Sequence, residues 1–341
     1  MFHQRNRLFS IGFSLVLVGM GTGCSGFIYG TTGDIISDYA VEHMGPYVLG
    51  SSDIQMACED GRSIGNLLMS FERVTDAPHK AAVTALVSAG MCAEFDAYEY
   101  ELQHMLQLKA GRVPEATDAR ILQKRAHELA ARRNARAYNR LAAAFGTPGD
   151  SCPDLEEGEE ILYLMGLSAG LQAALHDKAS GGMVGVDMGI PAQVVRATEC
   201  LDTNRYWGLP GAIRGAIFAS IPATAPEGMD AWKLLEESAA LGDVGGVRMA
   251  RALYIRVASS AGKSEINPEL IKQAVVSNKS VPAPADGGLL DAYATVMVRH
   301  FSDLIWMDGK GHRTPAGMLG SFWEEDAEED GDSDDLLDGL E

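Results

Sequence analysis

Alternating runs of valine, isoleucine and threonine are almost absent from this chain of 341 residues, and with them the period-two signature of strands. A sheet or barrel is therefore excluded. Basic charge is scarce as well: 28 lysines and arginines stand against 47 aspartates and glutamates, a net charge of −19. That balance argues against nucleic acid as a partner. No C-x-x-C occurs, and the five cysteines lie too far apart for a local zinc knuckle. The run HELAA at 127 to 131 begins like a zinc-protease helix but lacks the second histidine, and His43, His79, His104, His176 and His312 are scattered without ligand spacing. Surface or packing roles are expected for them, with no metal and no cofactor. Beyond residue 23, nothing is apolar enough to span a bilayer.

What the chain does have begins at its first residues. MFHQRNR carries Arg5 and Arg7 and no acid, and residues 8 to 20, LFSIGFSLVLVGM, form an apolar run of thirteen. Thirteen helical residues rise about 20 Å, short of the roughly 30 Å hydrocarbon core, so the run reads as an export signal rather than an anchor. Gly21, Thr22, Gly23 and Cys24 follow, an arrangement that resembles a bacterial lipobox, with Gly21 where that motif favours leucine. The resemblance implies a leader over 1 to 23, cleavage before Cys24, acylation of its thiol, and, with Ser25 next, the outer membrane in preference to the inner. A plain secretory signal is the competing reading.

Residues 24 to 341 suffice for one large or two ordinary domains. We divide them into an N-terminal helical half, 24 to 150, a C-terminal half, 151 to 320, and a tail, 321 to 341. Residues 324 to 341 hold 11 carboxylates and no base, a composition expected to stay disordered. Without those 11 acids and the two leader arginines, the body keeps 36 acids against 26 bases, a net of −10. Four cysteines remain beyond Cys24, and an even number in an exported chain invites pairing. Four can connect in three ways. Cys58 with Cys92 and Cys152 with Cys200 would join neighbouring segments and is the preferred connectivity, with buried thiols as the rival.

Alanine, leucine, glutamate and glutamine recur along the body at steps of three and four, the helical period. Helices are predicted over 52–72, 79–109, 116–145, 155–177, 191–201, 210–220, 227–241, 246–261, 267–276 and 286–307. Thr147 to Asp150 breaks the chain near its middle, and Ser151 or Asp154 is placed to cap the helix that follows. Ser180-Gly181-Gly182 ends another helix, and VPAPADGG at 281 to 288 is an extended linker. Short breaks favour antiparallel hairpins. Ala231, Leu235 and Ala239, a Gly-Asp turn, then Ala250, Leu253 and Val257 have the spacing of one. The predicted fold is all-α: hairpins stacked as a degenerate tetratricopeptide-like array, or an irregular bundle.

Three features bear on chemistry. Gly166-Leu167-Ser168-Ala169-Gly170 is a literal G-x-S-x-G, with His300 and Asp303 later in the chain, but it lacks the strand-turn-helix setting of a nucleophile elbow. Ser168 instead falls on a helical stripe with Ile161, Leu164, Leu171 and Leu175, and Gly166 and Gly170 permit close helix contact. No catalytic residue is assigned, and His300 with Asp303 reads as a helix-face ion pair at i and i+3. Residues 112 to 140 gather eight bases, Arg132 and Arg136 among them, over a buried stripe expected at Leu122, Ala126, Leu129, Leu141 and Phe145. A solvated face paired to Glu115, Asp118 and Glu128 competes there with docking of an anionic ligand or partner. Arg205, Tyr206 and Trp207, followed by Arg214, combine aromatic surface with guanidinium groups and form a candidate recognition patch. Trp207, like Trp232 and Trp306, also fits a packing role.

Taken with Cys24, the helix ending HELAARRNARAYNRLAAAF, the stretch from Gly166 to Gly170 leading to Glu199-Cys200-Leu201 and Tyr206-Trp207-Gly208, and the Ala231 to Ala258 hairpin, the chain resembles the TatT family of periplasmic helical-repeat lipoproteins linked to TRAP-type transporters. The acidic tail departs from that family. The resemblance implies a tetratricopeptide-like fold with a groove or pore for a small organic or apolar ligand, docking of a periplasmic solute-binding or transporter protein, and no catalytic residues. The expected function is a non-enzymatic, membrane-tethered accessory of uptake, with a homo-oligomer allowed. The alternatives are an envelope-assembly scaffold that uses the helices to hold protein partners and, more weakly, a serine hydrolase using Ser168.

Overall fold

The computed structural model describes residues 25–156 and 158–323. The leader, Cys24 and the acidic stretch 324–341 lie outside the described residues, and so do the expectations that rest on them. Helix α1 covers 25–39 and runs through a π-helical stretch, Ala40–Met44, into α2 (Gly45–Gly50). There follow α3 (Ile54–Ser70), α4 (Pro78–Lys109), α5 (Val113–Phe145), α6 (Glu159–Ser180), α7 (Ile190–Thr198) and α8 (Leu209–Ser220). The chain continues through α9 (Ala231–Gly245), α10 (Met249–Ser260), α11 (Asn267–Ser280) and α12 (Gly288–Lys310). No strand is found among the described residues apart from an isolated bridge between Pro148 and Ser151. The protein is an all-α helical bundle. Each of the ten helices predicted from spacing has its counterpart, while α1 and α2 were not anticipated.

Helices α3, α4, α5 and α6 pack in succession, and small residues set how closely. A Cβ added to Gly166 would come 2.6 Å from Leu141, and one on Gly170 would come 2.6 Å from Tyr138, so the α6 glycines do admit α5. The buried stripe of α5 differs from the expected one. Ala116, Ala119, Ala126, Ala130, Ala131 and Ala137 lie inward with Leu141, whereas Leu129 is exposed. Alanine costs no side-chain entropy on burial and lets two long helices approach closely, so the heavier leucine turns outward.

The capping expectation is corrected at α6. Gly158, in the left-handed region at φ 85°, precedes that helix, and neither Ser151 nor Asp154 caps it. The chain from Cys152 to Glu156 is irregular and is tied by Cys152 to Cys200, which holds Ser151 and Asp154 away from the first turn. Glu159, the first residue of α6, accepts from the backbone N–H of Glu156 at 3.0 Å and so fixes the approach to the helix without capping it.

In the second half, α9 and α10 form the expected hairpin. Leu235, Ala239, Ala250, Leu253 and Val257 are buried in it, Asp230 caps α9, and Gly246 ends it at φ 80°. One continuous core runs from Val48 to Phe322 across both halves. Helix α12 packs on α10 and α11 and also returns to α2, α3 and α4, so the last helix meets the first ones.

Candidate functional site

Where α3 and α5 diverge over α4, a cleft of about 620 Å³ opens. Arg62 enters it from α3, and Arg132, Arg133 and Arg136 from successive turns of α5. Its wall is apolar at Leu86, Ala89, Leu129 and Val184, and no carboxylate lines it. Arg133 is half-buried and donates through Nη1 to the Ala89 carbonyl at 2.6 Å. Burial, then the charge of Arg62, lowers its pKa against the pull of Asp96. Arg62 reaches Glu59 at 3.2 Å and Asp96 at 3.6 Å, and Arg132 pairs with Glu128 one turn back. Arg136 makes no hydrogen bond or ion pair among the described residues. The cleft thus offers guanidinium donors beside an apolar surface, the combination that recognises an organic anion.

Beneath the surface lies a polar cluster that sequence reasoning missed. Glu94 of α4 is 1% exposed. Its Oε1 accepts from the Tyr98 hydroxyl and from Arg256 Nη1, both at 2.7 Å, and Oε2 accepts from Tyr293. Arg256 also donates to Gln172 at 2.7 Å, and Gln172 donates to the Tyr293 hydroxyl at 3.1 Å. Four helices, α4, α6, α10 and α12, therefore meet on one carboxylate. Burial alone would raise the Glu94 pKa, but the charges of Arg256 and His176 and the hydrogen bonds around it hold the group well below the usual carboxylate range. The same burial and the neighbouring carboxylate push Tyr98 and Tyr293 up.

Two histidines expected to be unrelated sit together beside this cluster. His127 Nδ1 and His176 Nδ1 are 2.9 Å apart, and His176 Nε2 is 3.4 Å from Glu94 Oε1 without a hydrogen bond's alignment. The carboxylate favours the His176 proton on Nε2, which assigns His127 as the donor between the rings. Burial first, then repulsion from His176 should both rings protonate, and the charge of Arg256 push the His127 pKa down to about 3. The His176 pKa is lowered by burial against the opposing pull of Glu94.

A pH dependence follows from these shifts. A histidine whose folded pKa lies below its unfolded value near 6.5 contributes stability that is fully present above that value and is lost as pH falls toward the folded pKa. The denaturant midpoint is expected to drop below about pH 6.5, with His127 contributing up to ~1.4 kcal/mol per pH unit down to about pH 3 and His176 acting in the same direction. His127→Gln should flatten that slope; an unchanged profile in the variant would remove His127 as its source.

The remaining candidates are placed as follows. Cys58 pairs with Cys92, Cα atoms 5.5 Å apart, and Cys152 with Cys200, Cα atoms 5.4 Å apart. Ser168 lies mid-helix in α6 and donates its hydroxyl to the Leu164 carbonyl at 2.9 Å. His300 and Asp303 do not pair with each other. His300 Nε2 contacts Glu101 at 3.1 Å and its ring stacks on Tyr98, while Asp303 accepts from the Thr314 N–H. Partners on other segments lie better aligned than an i, i+3 neighbour, so that expectation is corrected.

Between α7 and α8, Tyr206 and Trp207 are buried and Tyr206 donates to Glu160. Trp207 sits at φ 53°, its ring so close to α9 that a Cβ on Gly245 would come 2.5 Å from it. Arg214 donates to the Thr198 carbonyl and the Thr203 hydroxyl. Arg205, which reaches Glu160 at 3.0 Å, is thus the exposed cation of that stretch, and its aromatic surface goes to packing. Of the residues proposed for binding, the structure brings together Arg132 and Arg136, and adds Arg62 and Arg133. No group of three or more metal-ligating side chains occurs among the described residues. In comparison with known proteins, no family model, curated protein or solved structure matches the chain.

Proposed function

We propose that the protein is a non-enzymatic lipoprotein of the bacterial envelope. Acylated Cys24 tethers it on the periplasmic side, outer membrane in preference to inner, and its body binds a small organic anion and docks a partner protein of solute uptake. The observation that carries this reading is the 620 Å³ cleft with four arginines and no lining acid, on a chain whose net charge is −19. Its volume lies within the range of small-molecule sites, and guanidinium groups suit a carboxylate better than a lysine would. The apolar wall adds a preference for anions with a hydrocarbon body. Two disulfides accord with an exported chain. The resemblance to TatT proteins supplies the uptake context and the protein partner.

Calorimetric titration of the full chain with benzoate and octanoate, with octanol as the neutral control, tests the site. Carboxylates should bind and the alcohol should not. Arg133→Met should weaken binding by about tenfold to a hundredfold, the loss of one charge-assisted contact of roughly 1.5–3 kcal/mol. Equal binding of acid and alcohol, or an indifferent Arg133→Met, would reject the cleft as an anion site.

A further inference from the structure

Helix α1 has two faces of opposite character. Toward the body it presents small residues at steps of three and four, Gly30, Gly33 and Ser37, a line continued by Ala40 at the start of the π-helical stretch. A Cβ on Gly33 would come 2.8 Å from Thr75 and 2.9 Å from Phe71, Ser37 and Ala40 are buried, and Asp34 accepts from the Thr75 hydroxyl. Away from the body stand Phe27, Ile28, Ile35 and Tyr39, which are 76%, 57%, 63% and 60% exposed. Tyr47 continues the exposure into α2. An amphipathic helix of a globular protein turns its bulky apolar side inward. This one seats Gly33 and Ser37 inward beside a single bulky residue, Ile36, and leaves its other bulky residues in solvent, so the outer face is built for contact with something else.

We propose that this face lies in the membrane interface, with Ile28, Ile35 and Tyr39 seated at the boundary of headgroups and acyl chains. The inference rests on the reading of Cys24 as the lipid anchor. Three observations select lipid as the occupant. The chain is already helical at residue 25, the first described residue and the neighbour of the proposed acylated cysteine, so acyl chains in the bilayer would hold α1 against it. Tyr39 and Tyr47 each join an apolar ring to a polar tip, the chemistry of side chains that settle at headgroup level. No lysine or arginine occurs from residue 8 to residue 61, and Asp34, Asp38 and Glu42 are exposed there, so the contact draws on the apolar side chains and gains nothing from anionic lipid. A diacylated cysteine suffices to hold the chain at the bilayer, and an interfacial helix adds a second contact that orients the body.

The experiment uses the full-length chain in neutral phosphatidylcholine vesicles whose acyl chains are brominated, with intact mass fixing its acylation state. Tryptophan is introduced at Ile35, at Ile28 in parallel, and at Val276 on α11, an exposed apolar control at 64%. After subtraction of wild-type emission, Ile35→Trp and Ile28→Trp should be quenched by the bromolipid and Val276→Trp should not, with no dependence on salt. An acylated chain with no quenching at either site overturns the α1 proposal and leaves the anchor standing. Quenching of a chain that carries no acyl group supports α1 and removes the anchor. Absence of both removes both. Shielding of Ile35→Trp that follows protein concentration instead of lipid would assign the face to a second copy and overturn the membrane proposal.

Discussion

Glu94→Leu is expected to lower the free energy of unfolding by about 3–5 kcal/mol, because it leaves the Arg256 guanidinium in the interior without its counter-charge. Two tyrosine hydroxyls lose their acceptor at the same time, and their burial magnifies that cost. Denaturant unfolding at neutral pH measures it as a shifted midpoint with an unchanged slope. The double variant Glu94→Leu with Arg256→Met should regain much of the loss, since an apolar pair can replace a buried ion pair once neither charge is stranded. A single variant within ~1 kcal/mol of wild type would show that the carboxylate does not hold the four helices together. Acid offers a second check on the sign. The folded Glu94 pKa is depressed, so its contribution is present above the ordinary carboxylate range and disappears as pH falls through the lower folded value. Wild type and Glu94→Gln should converge in stability there.

Loss of either disulfide should cost a comparable amount. Cys58 and Cys92 are 34 residues apart and Cys152 and Cys200 are 48 apart, and loops of that size imply about 4 kcal/mol each from chain entropy. The first bond ties α3 to α4. The second ties the irregular chain after α5 to the end of α7. Thermal melts of Cys58→Ser/Cys92→Ser and Cys152→Ser/Cys200→Ser, read beside the wild type with and without reductant, should show two separate losses that roughly add, because the bonds tie different segments, α3 to α4 and the chain after α5 to the end of α7. A wild-type midpoint indifferent to reductant would mean that these thiols are unpaired in the isolated protein, and the argument for an oxidising compartment would go with it.

The helices from α3 to α12 were readable because their inward stripes are alanine and leucine at regular steps, and spacing reports such stripes directly. Helices α1 and α2 were not, because Gly30, Gly33, Gly45 and Gly50 read as breaks, while Phe27, Ile28, Ile35, Tyr39 and Tyr47 face outward and leave only a short inward stripe. Half of the arginine cleft was legible. The bases of α5 stand together in the chain, but which of them converge with Arg62 depends on how α3 lies across α4. The Glu94 cluster was illegible for a different reason: its members come from four helices, and Glu94 and Tyr293 are 199 residues apart. A local signal existed all the same. Glu94 is a single carboxylate in SAGMCAEF, and Arg256 a single cation in ALYIRVA; an isolated charge in such a run calls for a buried partner. At Tyr206 and Trp207 composition misled in the other direction, since aromatic rings beside guanidinium groups suit a binding surface and a packed turn equally well.

The return of α12 to α2, α3 and α4 changes what kind of object this stack of helices is. Tyr293 to Glu94 clasps the last helix to an early one, and Arg313, just past its end, reaches Glu99 of the same early helix, as a buckle closes a belt. An open array of repeats frays from its ends and tolerates gain or loss of a unit, because each unit touches only its neighbours. A buckled one has a fixed circumference. Inserting or deleting a hairpin anywhere between α4 and α12 would pull the clasp apart, so a chain lengthened by one unit should lose the Tyr293 to Glu94 contact along with its stability.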